Sequence, residues 1–468
     1  MKKIFKQFIA VIAVFMITTF LFGACGKTET PVRSENSNES SSGSHKQAEN
    51  QKEPSKEDTN KTTNSSKKEE TSVPIEIIDT VYTNKLVDEN DGTVLVEASI
   101  IIPKLKNPKN QPEIEKINKY YKNEVETFFE EVKGEGFAAA AENYEDAKKN
   151  GYDFNTHMFD RKFHIHYNSN NLLSVLNVQY AYTGGAHPNT FWSAETFDIR
   201  SGKKMALTDI FSIPKEEVLA HIYEAVFKQI EQNQQKKENV YNDDYKTAVK
   251  EYYEDTDFIL TEKGINVFYQ LYTLAPYAAG FPEFLLPYDS VKDILDVDIS
   301  NAHVYNADQD LRYAARELIG CNYIAFSEMF YLNTLPADMP EGGLVDGNTI
   351  YPVKDKRFTT FAELEGYVRN TYGKEEADAL LSGKTWGGPQ YMDKDGKLHV
   401  DISKSGGVGY YKKWDTYMFE LSDITEDSAK LTVYLKEEDM GTNTLKDTSL
   451  SMKMIKEDGL WLLDKMVY

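Results

Sequence analysis

Cysteine is nearly absent from this chain: its 468 residues include only Cys25 and Cys321. No internal disulfide framework holds the fold, and a metal site built on paired cysteines is excluded. A basic excess is missing too, since 53 Lys and Arg face 75 Asp and Glu for a net charge of -22. Non-specific binding to DNA, RNA or an anionic lipid surface needs a basic stripe that displaces counterions, so those functions are disfavoured. A basic partner suits the chain better. Catalytic signatures are lacking as well. There is no Gly-x-Ser-x-Gly elbow, phosphate loop, dinucleotide fingerprint or H-x-x-x-H pair. No cofactor is expected.

Aromatic residues are plentiful, with 30 Tyr and 24 Phe, and hydrophobic residues make up 40% of the chain. At roughly 100–200 residues per domain, the length predicts two to four domains with substantial cores. The charge is unevenly spread: residues 1–24 carry +3, residues 25–74 carry -1, and the acidity resides in residues 75–468.

The only long apolar run, Phe8 to Phe22, follows Lys2, Lys3 and Lys6 and ends at Gly23-Ala24-Cys25. This is the pattern of a secretory signal, residues 1–24. Small residues directly before a cysteine resemble the lipobox of bacterial lipoproteins, which implies lipidation of Cys25. Phe22 stands where that family usually has Leu. An uncleaved anchor is the alternative, and both readings leave the rest of the chain on the extracytoplasmic face of the membrane. Residues 25–74 are Ser, Asn, Thr, Lys and Glu with almost nothing apolar, so they cannot form a core and read as a disordered tether. Such a tether of about 48 residues has an r.m.s. span on the order of 40 Å.

The remainder reads as α+β: two or three units with antiparallel sheets, the last a helices-first curved antiparallel sheet. In residues 75–200, β-type runs at Ile75–Ile78 and Thr93–Ile102 precede a helix from Pro112 to about Glu135, where apolar residues recur at three and four. A second helical stretch covers Phe137 to Lys149. Strands at Arg161–Tyr167, Leu172–Tyr182 and Phe191–Ile199 then form a meander that reverses at Thr183-Gly184-Gly185-Ala186-His187-Pro188. Residues 201–300 add helices at Pro214–Asn233 and Tyr245–Tyr253, and strands at Phe258–Leu260, Gly264–Leu271 and Glu283–Pro287. A polar stretch, Asn301–Asp310, marks a boundary. Residues 308–468 begin with a helix from Leu311 to Leu332 and a second after Thr360, whose Glu363 completes a capping box. Strands follow at Tyr391–Met392, Lys397–Ile402, Thr416–Leu421, Lys430–Leu435, Thr448–Ile455 and Leu460–Tyr468.

Several groups invite a chemical reading. His164 and His166 share one face of a strand, with His157 and His187 as further imidazoles, but two ligands are too few and no metal is assigned. Glu195-Thr196-Phe197-Asp198 is similar to the Thr-Phe-Asp-Asp motif of polysaccharide deacetylases but lacks the second Asp, and a strand is the better reading. Cys321 with His399 offers a nucleophile and base. It sits in an amphipathic helix, where an inert thiol is the usual outcome. Asn306-x-Asp308-x-Asp310 and Glu317 imitate a calcium loop, yet Leu311 occupies the position that needs Gly, so helix capping by Asp308 or Asp310 is preferred. Asp393-Lys394-Asp395-Gly396 reads as a hairpin turn.

Two stretches carry a family resemblance. The first is Tyr180 to Thr190, followed by Phe197-Asp198, Ser201-Gly202-Lys203 and Leu207-Thr208-Asp209-Ile210-Phe211; the second is Phe268 to Gly280. Together with Ile102-Pro103 and Ile117-Asn118 they resemble the extracellular domain shared by RsiV-type lysozyme-sensing anti-sigma factors and the non-catalytic N-terminal part of PdaC-type peptidoglycan deacetylases. The resemblance covers about residues 75–298, and the deacetylase catalytic domain is missing. Residues 308–468 resemble IseA-type inhibitors of bacterial D,L-endopeptidases, through Phe330-Tyr331, Phe358-Thr359-Thr360, Asp395-Gly396-Lys397-Leu398 and Gly459-Leu460-Trp461-Leu462-Leu463. These resemblances imply a non-catalytic surface lipoprotein of a Gram-positive bacterium that binds, and by binding inhibits, a peptidoglycan hydrolase. The partner is a D,L-endopeptidase or, in the alternative of a sensor or decoy, a lysozyme; a wall-modifying enzyme is the third reading. The expected contacts are Thr183, Gly184, Gly185, His187 and Pro188 at a hairpin tip, with Pro276 and Tyr277 in the second motif. Turn geometry alone accounts equally well for the glycines and prolines.

Overall fold

The computed structural model describes residues 74–236, 240–299, 309–340, 347–384, 387–404, 411–439, 441–442 and 444–468. Cys25, Asn306 and Asp308, and with them the signal, tether and lipidation expectations, lie outside the described residues. The architecture is mixed α+β with predominantly antiparallel sheets.

β1 (Ile77–Val87) and β2 (Val94–Leu105) form a hairpin of Ile, Val and Thr, residue types that suit a pleated surface. Helix α1 (Pro112–Glu131) follows, with Pro at its start and Glu113 and Glu115 in the first turn, where they favour the positive end of the helix dipole. Its buried face is Ile114, Ile117, Tyr121, Glu124, Val125 and Phe128. The expected helix to Glu135 gives way at Val132–Gly136 to a π turn, which leads into α2 (Phe137–Asn150).

β3 (His157–Ser169), β4 (Leu172–Tyr182), β5 (Asn189–Asp198) and β6 (Lys203–Met205) make the antiparallel meander. Asn170 and Asn171 turn β3 into β4 with φ of 51° and 61°, the left-handed pair of a tight hairpin. One pairing differs from the expected antiparallel pattern: β3 runs parallel to β2. The helices α1 and α2 provide the long crossover that a parallel pair requires.

α3 (Lys215–Lys236) buries Val218, Ile222, Val226 and Ile230. α4 (Tyr245–Glu251), β7 (Phe258–Leu260), β8 (Gly264–Phe268), β9 (Glu283–Pro287) and α5 (Tyr288–Val291) complete this part as a three-stranded antiparallel sheet with helices. Its core includes Phe258, Ile265, Val267, Phe284 and Leu286. A smaller cluster of Leu176, Ala194, Ile259 and Phe268 joins it to β4 and β5.

α6 (Gln309–Ile324) ends in a second π turn, Ala325–Phe330, where a continuous helix to Leu332 was expected. β10 (Ile350–Pro352), α7 (Phe361–Thr371) and α8 (Lys374–Ser382) precede β11 (Tyr391–Lys394) and β12 (Lys397–Asp401). The Thr360–Glu363 capping box is present at α7. Asp395 and Gly396, with φ of 53° and 75°, turn β11 into β12, so the Asp393 to Gly396 segment is a hairpin turn. The last strands are β13 (Lys412–Ser422), β14 (Ser428–Asp439), β15 (Thr444–Glu457) and β16 (Leu460–Leu463).

The principal sheet has ten strands in the order β16-β15-β14-β13-β1-β2-β3-β4-β5-β6. Strands from before and after residues 300–308 thus share one hydrogen-bonded sheet. β13 pairs antiparallel with β1, placing Asp79 opposite Phe419 and Val81 opposite Tyr417. Helices meet both faces of β3. Arg161 contacts Glu124 of α1, while the alternate residues Lys162 and His164 contact Glu317 and Tyr313 of α6. The described residues fall within one compact unit.

Candidate functional site

The β4–β5 loop, residues 183–188, and the segment after β8, residues 269–282, come together. Gln270 makes the join, because its side-chain amide substitutes for a strand partner on β5. Its Nε2 donates to the Trp192 carbonyl at 2.8 Å, and its Oε1 accepts from the Trp192 N–H at 3.1 Å. The Trp192 indole stacks on Phe281 with centroids 4.0 Å apart and planes 4° from parallel. It also meets Phe268 edge-on at 5.6 Å. These contacts hold the second segment against the root of the hairpin.

An aromatic ridge lies above this base. The His187 ring stacks on Tyr277 at 5.0 Å, and Tyr277 stacks on Tyr272 at 5.5 Å, with interplanar angles of 27° and 30°. His187 Nδ1 donates to the Pro188 carbonyl at 2.9 Å, which fixes the ring's direction. Pro276 opens the short turn Tyr277–Ala279. Tyr272 and Tyr277 remain 46% and 37% exposed, unusually high for large rings that are already stacked. Tyr272 also holds a φ of 65°, a left-handed conformation costing a bulky residue about 1–2 kcal/mol. Gly184, with φ of 82°, occupies the same region without that cost, and a Cβ there meets Asn155 at 3.7 Å, ordinary contact.

Of the seven expected contacts, Gly184, Gly185, His187, Pro276 and Tyr277 are exposed, and Thr183 and Pro188 are half-buried beside them. The fold brings both motifs into one surface. Residue reading missed Tyr272, Gln270, Trp192 and Phe281. The available signal was the Tyr272-to-Tyr277 spacing within a Tyr-rich loop.

The other candidates separate. His164 and His166 lie 6.5 Å apart between ring centroids, while His157 is buried against Asn143, with Nε2 3.0 Å from its Nδ2, and His187 belongs to the ridge. Among the described residues no group of three or more His, Cys, Asp or Glu side chains could hold a metal ion. Cys321 is half-buried on α6, where burial pushes its thiol up, and its carbonyl accepts from the Tyr367 hydroxyl at 2.9 Å. His399 stands on β12 with Nδ1 donating to the Lys397 carbonyl. Asp310 opens α6, and Glu317 pairs with Lys162 at 3.0 Å. Glu195 is buried on β5, where it accepts from Asn177 and from Tyr120 at 3.1 Å and lies 3.7 Å from Arg161. Arg161 in turn binds Glu124 at 2.8 Å. This is an internal charge network joining α1 to the sheet. No described helix is long and apolar enough to cross a membrane.

Residues 89–190 match the family model described as Deacetylase PdaC, and residues 208–289 match that described as Protein of unknown function (DUF3298). The chain thus carries a PdaC-type region followed by a DUF3298-type region, which fits an extracellular, cell-wall-associated protein. Among solved structures, a DUF3298 family member from Bacteroides fragilis is similar at 18% identity and a TM-score of 0.37, covering 48% of this chain and 94% of that one. A DUF3298 family protein from Pseudomonas aeruginosa is similar at 18% identity and 0.32, covering 48% and 95%. No curated protein matches the chain.

Proposed function

We propose that this protein is a non-catalytic, lipid-anchored surface protein that binds a peptidoglycan hydrolase and inhibits it by covering it. The observation that carries the reading is the ridge of His187, Tyr277 and Tyr272, which draws on both matched regions and leaves large stacked rings open to solvent. Exposed aromatics on a rigid base are the residue types that anchor protein interfaces, because they bury much area while losing little side-chain freedom. A net charge of -22 adds long-range attraction for a basic hydrolase, raising the encounter rate. Anchoring through Cys25 at the extracytoplasmic face of the membrane is part of the same proposal.

Two partner classes fit. The ridge lies within residues 75–298, and this favours a lysozyme-type muramidase, for which the protein acts as a sensor or decoy. Inhibition of a D,L-endopeptidase assigns the work to residues 308–468. The test is a titration of each enzyme, acting on purified cell wall, with the purified full-length protein and with its Tyr277→Ala variant. Stoichiometric inhibition of one class supports the proposal and names the class; weakening of at least tenfold in the variant puts the contact at the ridge, and inhibition that survives the substitution assigns it to residues 308–468. No inhibition and no binding of either enzyme overturns it, as does release of wall fragments by the protein alone.

A further inference from the structure

α6 is seated on the principal sheet by a small set of charges gathered at the middle of β3. Arg316 stacks its guanidinium 4.5 Å over Phe163, donates to the Phe163 carbonyl at 3.0 Å and donates through Nε to Asp79 of β1 at 2.6 Å. Arg312 pairs with the other oxygen of Asp79. Lys162 lies 3.0 Å from Glu317. At the centre, the Tyr313 hydroxyl meets Nδ1 of His164.

The groups facing His164 can be counted from each element packed there. Its own strand presents Lys162 and His166, with Asp160 two residues before Lys162 and bonded to Ser99 of β2 at 2.5 Å. α6 presents Arg312, Tyr313, Arg316 and Glu317, β1 presents Asp79, and β13 presents Tyr417 beside Asp79, Glu317 and Arg316. With His164 neutral, Lys162 pairs with Glu317 while Arg312 and Arg316 pair with Asp79, so both of those carboxylates are already engaged. A proton on His164 adds a further positive charge to this seat. Both ring nitrogens then carry protons, so Nδ1 can only donate and the Tyr313 oxygen must serve as the acceptor in their contact.

We propose that this seat is an acid-sensitive latch, in which a proton on His164 unseats α6 from β3. The consequence extends to the chain end, because Asn322 of α6 donates to the Val467 carbonyl at 2.6 Å and accepts from its N–H at 3.0 Å. Burial, reinforced by Arg316, His166 and Lys162, holds the His164 pKa down at about 4, against an ordinary 6.5. The unfolded or undocked state therefore takes up a proton that the docked state refuses, and docking is weakened as pH falls from about 6.5 to about 4.

The experiment is amide hydrogen exchange on the full chain at pH 7.5 and pH 4.5, corrected for intrinsic rates, with α3 as the internal reference helix. The expected result is a loss of protection in α6 at least tenfold greater than in α3. His164→Gln should remove that excess, while His157→Gln should leave it. Equal loss in the two helices, or an undiminished excess in His164→Gln, overturns the latch. Should His164→Gln fail to fold, NMR titration of the wild-type His164 ring decides the matter. The α6 opening must share its midpoint, and a mismatch of more than one pH unit overturns the proposal.

Discussion

Tyr272 shows how one residue can separate stability from binding. Its φ of 65° is strained for a tyrosine but free of cost for glycine. In Tyr272→Gly the relief of about 1 kcal/mol opposes the lost ring contact and the greater freedom of the unfolded chain. The thermal midpoint should therefore shift by only a few degrees, while inhibition of the partner hydrolase weakens at least tenfold. A melting curve beside an inhibition titration checks both halves, and equal inhibition by the variant removes Tyr272 from the interface. Titratable residues add a pH signature with two opposed limbs. Burial lowers His157 to about 4 from 6.5, so its contribution to stability is lost as pH falls through that interval. Burial, with Glu254 nearby, raises Asp257 to about 7 from 3.8, so the folded state holds a proton there and loses that contribution as pH rises through the interval. His157→Gln should flatten the acid limb of a plot of melting midpoint against pH, and Asp257→Asn the limb approaching neutrality. His187, Pro276 and Tyr277 were legible as candidate contacts because their motif could be read in order. The strain at Tyr272 was not, since φ depends on how the Gln270 amide ties the loop to β5.

Among the elements, legibility followed length and period. α1 and α3 repeat apolar residues at three and four over twenty or more positions, and β4 alternates or runs apolar between clear turns, so all three were visible in the chain. α8 was not, because nine residues give too few repeats and its N-cap, Gly373, has no side chain to signal a start. β10, with three residues, exists only through its pairing with β12. The π turns have no periodic signature; at the first, Gly136 admits the Phe159 ring, which lies 3.2 Å from where a Cβ would stand. Gly264 is a more demanding position. A Cβ there falls 2.2 Å from the Leu286 carbonyl oxygen on β9, a backbone atom that cannot swing aside. Gly264→Ala should therefore force β8 and β9 apart and cost about 2 kcal/mol or more. Lower melting with normal inhibition per folded molecule is the expected outcome. An unchanged midpoint contradicts the close approach.

At the scale of the whole molecule, the joining of β1 to β13 decides how the protein must behave. Local periodicity identifies strands but carries no record of which distant strand pairs with which, so residues 308–468 read as a separate unit. In the structure β1 is an interior strand, hydrogen-bonded to β2 on one side and to β13 on the other. The seam is reinforced by Asp79, fully buried between Arg312 and Arg316 of α6. Removing one partner of a buried ion pair strands the other charge, so Asp79→Ala should cost about 3–5 kcal/mol. Combining Asp79→Leu with Arg316→Met replaces the Asp79–Arg316 pair by apolar side chains and should recover part of that loss, which distinguishes a stranded charge from a lost contact. The seam also predicts the fate of a chain ending before residue 309. Such a chain keeps the helices and strands of both matched regions but bares the edge of β1 along Asp79–Tyr82, the residues that pair with β13. An interior strand opened in this way offers unpaired backbone to another copy. The truncated protein should self-associate in size-exclusion chromatography, whereas the full chain should unfold in a single calorimetric transition across residues 77–463. A soluble, monomeric truncation with an unchanged melting point would show that β1 does not depend on β13.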